Sequence, residues 1–207
     1  MRQEYPVGMS DSEPTHDPRN PRRTNTPEQD EESLRQRFEQ SLAARVQRRQ
    51  SAPVHAAIPA EWFAAASREC RDLYVDGHFY GAICLTQAVA EGISRFLTIR
   101  NGHRDTGNHN SRIALLKKRG VISTEAYRAF KVIEGGDRND YHHLNANIEI
   151  DLEKLELRAG ECVRSLFAIQ LEVFAFSVGE GGTMVVANPQ YWPRVDKTFI
   201  STHIDFT

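Results

Sequence analysis

Two glycines open the run Gly135-Gly136-Asp137-Arg138-Asn139-Asp140-Tyr141-His142-His143, and a guanidinium, an amide, a carboxylate, a phenol and two imidazoles follow within six positions. A guanidinium recognises phosphate bidentately and stays charged at physiological pH. An imidazole titrates near neutrality and can shuttle a proton. The pair suits metal-independent cleavage of an RNA phosphodiester. Imidazole assists attack of the 2′-hydroxyl or protonates the leaving oxygen, while the guanidinium offsets charge on the phosphorane. Asn139 is placed to orient the imidazole or the phosphate, and Asp137 to cap a new helical turn after the glycines. On a regular helix Arg138 and His142 share a face and His143 is rotated away; a kink or loop reverses that relation. Spacing therefore leaves the two histidines level, and a polar helix end with solvated charges fits the same residues.

Other candidates are weaker. His103, Arg104 and His109 lie in the polar stretch 101–110, which reads as a solvated loop, or as part of an RNA path if it borders a cleft. His142 and His143 with Asp140 raise the question of a metal, but adjacent histidines hold one ion poorly and no further ligand cluster accompanies them. No metal or cofactor is expected. Gly179-Glu180-Gly181-Gly182 lacks the Lys-Ser/Thr ending of a phosphate loop and reads as a hinge. Glu91 sits in mid-helix beside Ala88 and Ala90, facing either water or a cleft.

The 207 residues suffice for one good core plus a tail. A net charge of −2 offers no bulk attraction to nucleic acid or an anionic membrane, so phosphate binding must be local. Cys70, Cys84 and Cys162 are scattered within apolar helical patterns, as buried thiols of a reducing compartment are. With no apolar run behind the N-terminus and no stretch judged apolar enough to span a bilayer, a cytoplasmic protein is expected.

The elements that must position the loaded run are helices. Residues 1–26 are rich in Pro, Asp, Arg, Asn and Thr, and are expected to be a disordered arm. Thr26, Pro27 and Gln29 form a helix start, and residues 27–50 predict a peripheral amphipathic helix with a thin stripe of Leu34, Phe38, Leu42 and Val46. That helix either docks loosely or binds a partner. Residues 51–58 read as a linker. The main domain, 59–178, carries helical periodicity over Glu61–Asp76 (Trp62, Phe63, Ala66, Cys70, Leu73, Tyr74) and over Phe79–Arg100, with a break at Gly77. A short helix follows over Ile113–Arg119, then one capped by Ser123 and ended by Gly135-Gly136. The last runs from Asp151 to Ser177 on a face from Leu152 to Val173. Short links predict an all-α, antiparallel up-down four-helix bundle. The tail 179–207 is irregular or β-prone, with Tyr191 and Trp192 expected to pack on the helices.

Arg138-Asn139-x-x-x-His143 resembles the Arg, polar residue, spacer, His motif of the HEPN superfamily (higher eukaryotes and prokaryotes nucleotide-binding). Cys70-Arg71-Asp72-Leu73 with Tyr74, Gly77-His78-Phe79-Tyr80-Gly81-Ala82 and an Ala-rich helix ending in Phe96-Leu97 are similar to that family as well. The resemblance covers Pro59 to Val178. It implies a four-helix bundle that forms a homodimer, with two motifs facing across a cleft and RNA as substrate. It further implies a role in defence or toxin–antitoxin systems. Arg138 and His143 become the catalytic pair and Asn139 their support, with His142, Asp140 and Tyr141 secondary. An antitoxin or other protein would engage the N-terminal helix. Some relatives only bind RNA or protein, so the alternative is a non-catalytic module using the same cleft.

Overall fold

The computed structural model describes residues 25–52, 58–59, 61–105, 107–135, 151–178 and 184–192. Among them lie helices α1 (Pro27–Ser51), α2 (Glu61–Asp76), α3 (Phe79–Arg100), α4 (His109–Lys118), α5 (Thr124–Glu134) and α6 (Leu152–Val173). Strands β1 (Phe176–Val178) and β2 (Met184–Val186) and a 3-10 turn at Pro189–Tyr191 complete the described elements. The fold is mostly helical, with one small sheet. The expected arm up to residue 24, linker residues 53–57, the tail from 193 onward and the Trp62 side chain lie outside the described residues.

The chain divides into two units, Met1–Ser41 and Leu42–Thr207. In the first, α1 begins on a reciprocal capping box. The Gln29 backbone N–H donates to Thr26 Oγ1 at 3.3 Å, and the Thr26 N–H to Gln29 Oε1 at 2.9 Å. Leu34 and Phe38 are exposed there. In the second unit the last turns of α1 are tied by arginines, not by the apolar stripe. Arg45 pairs with Asp76, and Arg48 donates to Glu156 at 2.9 Å and stacks over the Phe79 ring, while Leu42 and Val46 stay exposed.

Within that unit α3 packs against α2, α4, α5 and α6, and α5 also lies along α6. One apolar cluster joins Phe63, Leu97, Ile113, Phe130, Leu166 and Ile169; a second joins Tyr74, Ile83, Leu155, Ala159 and Cys162. Gly160 lets α6 approach α2, because a Cβ there would meet the Tyr74 hydroxyl at 2.9 Å. The turn between α2 and α3 needs Gly77 at φ +85, where its N–H donates to Tyr74 O.

Four expectations need correction. Helix α4 starts at His109 instead of Ile113, because the Asn108 side chain caps it by accepting from the Ser111 N–H at 3.2 Å. Helix α6 stops at Val173, and residues 176 and 177, expected to be helical, belong to β1, which pairs antiparallel with β2. The Asn188 amide donates to the carbonyls of Glu172 and Val173 at 2.9 and 3.1 Å, satisfying the helix end from fifteen or more residues away. Leu152 is 65% exposed, so the inward face of α6 begins at Leu155. Finally, α3 is long and apolar enough, by length and composition alone, to cross a membrane. Yet 56% of its apolar window is buried inside the protein, as in a core helix.

Tyr191 is buried, its ring edge-on to Phe96 and its hydroxyl accepting from the Asn101 amide at 3.0 Å; Trp192 packs edge-on to Phe176.

Candidate functional site

Arg138, Asn139, Asp140, Tyr141, His142 and His143 lie outside the described residues. Their chain, 136–150, is anchored at both ends: it leaves α5 at Gly135 and enters α6 at Asp151, and these two helices pack against each other. Asp151 caps α6 by accepting from the N–H groups of Glu153 and Lys154 at 3.0 and 3.2 Å. Hydrogen bonding from Lys154 and the Glu153 N–H holds its carboxyl below the ordinary aspartate value.

Two polar groupings stand out among the described residues. The first joins α3, α4 and the turn between them. Glu91, Ser94 and Arg95 share one face of α3, spaced three and four residues apart. Helix α4 contributes His109 and Arg112, and the turn contributes Asp105. The Arg112 side chain is wholly buried. It donates from Nη2 to Glu91 Oε1 at 2.8 Å and from Nη1 to Asp105 Oδ1 at 2.9 Å. Arg95 reaches the same carboxylates at 3.5 and 3.4 Å. Asp105 also accepts from the Gly107 N–H at 2.9 Å. That bond first, and Arg112 second, hold its carboxyl below the ordinary value.

His109 is buried edge-on to Phe130, with Nδ1 at 3.0 Å from Ser94 Oγ. The Ser94 hydroxyl donates its proton to Glu91 O at 2.8 Å. The Ser94 hydroxyl thus links the imidazole to the backbone of α3. Two carboxylates thus answer two guanidiniums in a network that fixes α4 and its preceding turn on α3. Both Nη atoms of Arg112 are engaged by these carboxylates, while its Nε is buried without a hydrogen-bond partner among the described residues; the network reads as scaffold.

The second grouping sits at the last turn of α5. Gln87, buried on α3, donates from Nε2 to Ile133 O at 3.2 Å, and its Oε1 is buried without a hydrogen-bond partner among the described residues. Gly135 closes the helix at φ +37. A Cβ there would lie 2.9 Å from Arg158 Cζ and nearer still to Nη2, so the guanidinium of Arg158, from α6, rests directly on the glycine. Its Nε and Nη2 are likewise buried without hydrogen-bond partners among the described residues.

The structure brings His109 to Ser94 and Phe130, leaves His103 half-buried beside the turn with its N–H donating to Thr98 O at 3.0 Å, and leaves Arg104 exposed. Glu91, open to two readings in sequence, is bound to Arg112 with its side chain 28% exposed. Sequence reasoning missed Arg112, Gln87 and Arg158. An arginine inside an apolar period was the available signal for Arg112. Among the described residues no group of three or more His, Cys, Asp or Glu side chains is arranged to hold a metal ion. Neither a family model, nor a curated protein, nor a solved structure matches this chain.

Proposed function

We propose that this chain is a dimeric, metal-independent endoribonuclease of HEPN type, acting in defence or toxin–antitoxin control. The observation that carries the reading is the spacing Arg138-Asn139-x-x-x-His143 on the segment joining α5 to α6. The mutual packing of α2, α3, α5 and α6 supports their reading as the four helices of an up-down bundle. His143 takes the proton of the 2′-hydroxyl or returns one to the leaving 5′-oxygen, and Arg138 bears the charge gathering on phosphorus. Attack by the 2′-oxygen forms a new O–P bond as the bond to the 5′-oxygen breaks. The products are a 2′,3′-cyclic phosphate and a 5′-hydroxyl end. Asn139 orients the pair, and the second protomer supplies the facing motif.

The test is RNA cleavage by the purified full chain in excess chelator, beside His143→Ala, Arg138→Ala and His142→Ala. Cleavage lost in the first two and kept in the third supports the assignment. A folded dimer that leaves RNA intact removes the enzyme reading. Loss with His142→Ala alone moves the catalytic role to that histidine.

The second reading is a non-catalytic module that binds RNA or protein. It is favoured by the exposure of Leu34, Phe38, Leu42 and Val46 at four-residue intervals along α1, a stripe of the kind a partner helix or groove can cover. Under that reading RNA or a protein is retained by the wild type and is not cut.

A further inference from the structure

Along α6, from Leu157 to the helix end, the exposed residues are Leu157, Glu161, Arg164, Ala168 and Leu171. Their spacing alternates four and three residues, the 3.5-residue period of a coiled-coil seam, so they form one narrow strip. Leu157 and Leu171 are 66% and 49% exposed, so apolar side chains stand open at both ends of the strip. Beside it, where α5 packs on α6, lies an open groove of about 350 Å³. The small side chains of Ala129, Ser165 and Ala168 line the groove with Val132, Glu161 and Arg164. Leucines at the ends, opposite charges between them and a groove alongside suit the strip to receive another helix.

The charges select the helix. Laid parallel on a copy of itself, the strip sets Glu161 against Glu161 and Arg164 against Arg164, like on like. Laid antiparallel about a two-fold axis between residues 162 and 163, it sets Glu161 of each copy against Arg164 of the other. The same register places Leu157 of each copy over Ala168 of the other, a large side chain on a small one beside the groove. It also matches Leu152 of one copy with Val173 of the other, so the two α6 helices overlap over their whole length. A slip of one heptad in either direction sets Glu161 against a leucine, Leu157 or Leu171. We propose that two copies of the chain associate through this strip, α6 against α6 and antiparallel, with Leu157 of each seated at the α5–α6 groove of the other. The inference deepens the dimeric part of the proposed function and rests on none of its catalytic residues.

One helix face per copy is a small interface, so a reversible dimer with a Kd of about 1–10 µM is expected. Sedimentation velocity of the full chain over about 0.5–100 µM reads it without RNA. Glu161→Arg and Arg164→Glu, each alone, oppose like charges twice and are expected to weaken association about thirtyfold or more. The double variant Glu161→Arg/Arg164→Glu restores opposite charges and is expected to return to within about threefold of wild type. Mixed together, the two single variants are expected to form a heterodimer, because each then meets opposite charges on the other. Leu157→Ser is expected to weaken association about tenfold. Arg119→Glu, an exposed charge reversal at the end of α4, is expected to change it by less than about twofold.

Recovery in the double variant and in the mixture excludes misfolding of the single variants as the cause of their loss. A chain that stays monomeric to about 100 µM overturns the proposal. So does a dimer whose Kd neither charge reversal moves, or a pair of single variants that recovers neither on mixing nor in combination. A monomer that melts lower with Leu157→Ser places a segment of its own chain on the strip, and overturns it as well. Parallel assays on RNA keep the two readings apart. A dimer with this charge pattern that leaves RNA intact sinks the nuclease and keeps the interface. Cleavage by a chain whose association ignores these charges does the reverse.

Discussion

Arg112, wholly buried, donates to Glu91 at 2.8 Å and ties α4 to α3 beside the His109–Ser94 contact. The pair is asymmetric: the Glu91 and Asp105 side chains keep 28% and 31% exposure, while the guanidinium has none. A carboxylate left alone there can hydrate, whereas a guanidinium left alone cannot. Glu91→Gln should therefore cost more than Arg112→Met, which replaces the buried cation by an apolar side chain. Breaking a buried pair costs roughly 3 to 5 kcal/mol, and the lower end, about 3 kcal/mol, is expected for Glu91→Gln because its partner Asp105 remains. Urea midpoints of the two variants check the order, and the reverse order would refute the argument.

Gly135→Ala should destabilise the protein by about 2 kcal/mol, combining the left-handed backbone penalty with displacement of Arg158. Removing the Arg158 side chain relieves only the second part. A double-mutant cycle with Arg158→Ala should therefore show a smaller cost of Gly135→Ala, about 1 kcal/mol, in the variant background. Strict additivity would mean that the glycine serves the backbone alone.

The elements legible in the sequence are those whose signals are local. Thr26 and Gln29 sit three residues apart and announce the start of α1; Gly77 and Gly135 stop α2 and α5 because each takes a positive φ. The errors arose where a distant residue decides. Helix α6 ends at Val173 because Asn188, beyond an intervening hairpin, satisfies its last carbonyls. Arg112 is buried because Glu91 and Asp105 come from other elements, and no periodicity within α4 reveals them. The same holds for Arg158, whose relation to Gly135 exists only once α5 and α6 pack. At the candidate site the residue types and spacing of Arg138, Asn139 and His143 were legible, and so were the ends of their segment at Gly135 and Asp151, because both are marked by local capping residues.

Acid should weaken the fold through Asp105 and Asp151. Both have folded-state values lowered from 3.8, Asp105 chiefly by the Gly107 N–H and then Arg112, and Asp151 by Lys154. A lowered carboxyl value means stability that is complete above the ordinary value and is lost as pH falls through the folded one. Urea midpoints are therefore expected to fall below about pH 4, and more gently in Asp105→Asn and Asp151→Asn than in the wild type. At neutral pH Asp151→Asn should remain close to wild type, because asparagine also caps a helix N-terminus. Unchanged acid sensitivity in both variants would place the titrating groups elsewhere.

Thiol chemistry offers a probe of how tightly α2, α3 and α6 close on each other. Burial pushes the Cys70 thiol up to about 12 and the Cys162 thiol up to about 11, so neither supplies thiolate near neutrality. Cys84 is also raised by burial, but it is only half-buried. A disulfide reagent at about pH 8 should therefore modify Cys84 first, while Cys70 and Cys162 wait for the helices to open. Cys84→Ser should abolish the early labelling, and denaturant should expose the remaining two thiols together. Rapid modification of Cys162 in the folded protein would show that the second apolar cluster, where it meets Tyr74 and Ile83, opens far more readily than its packing implies, and rapid modification of Cys70 would show the same of the first.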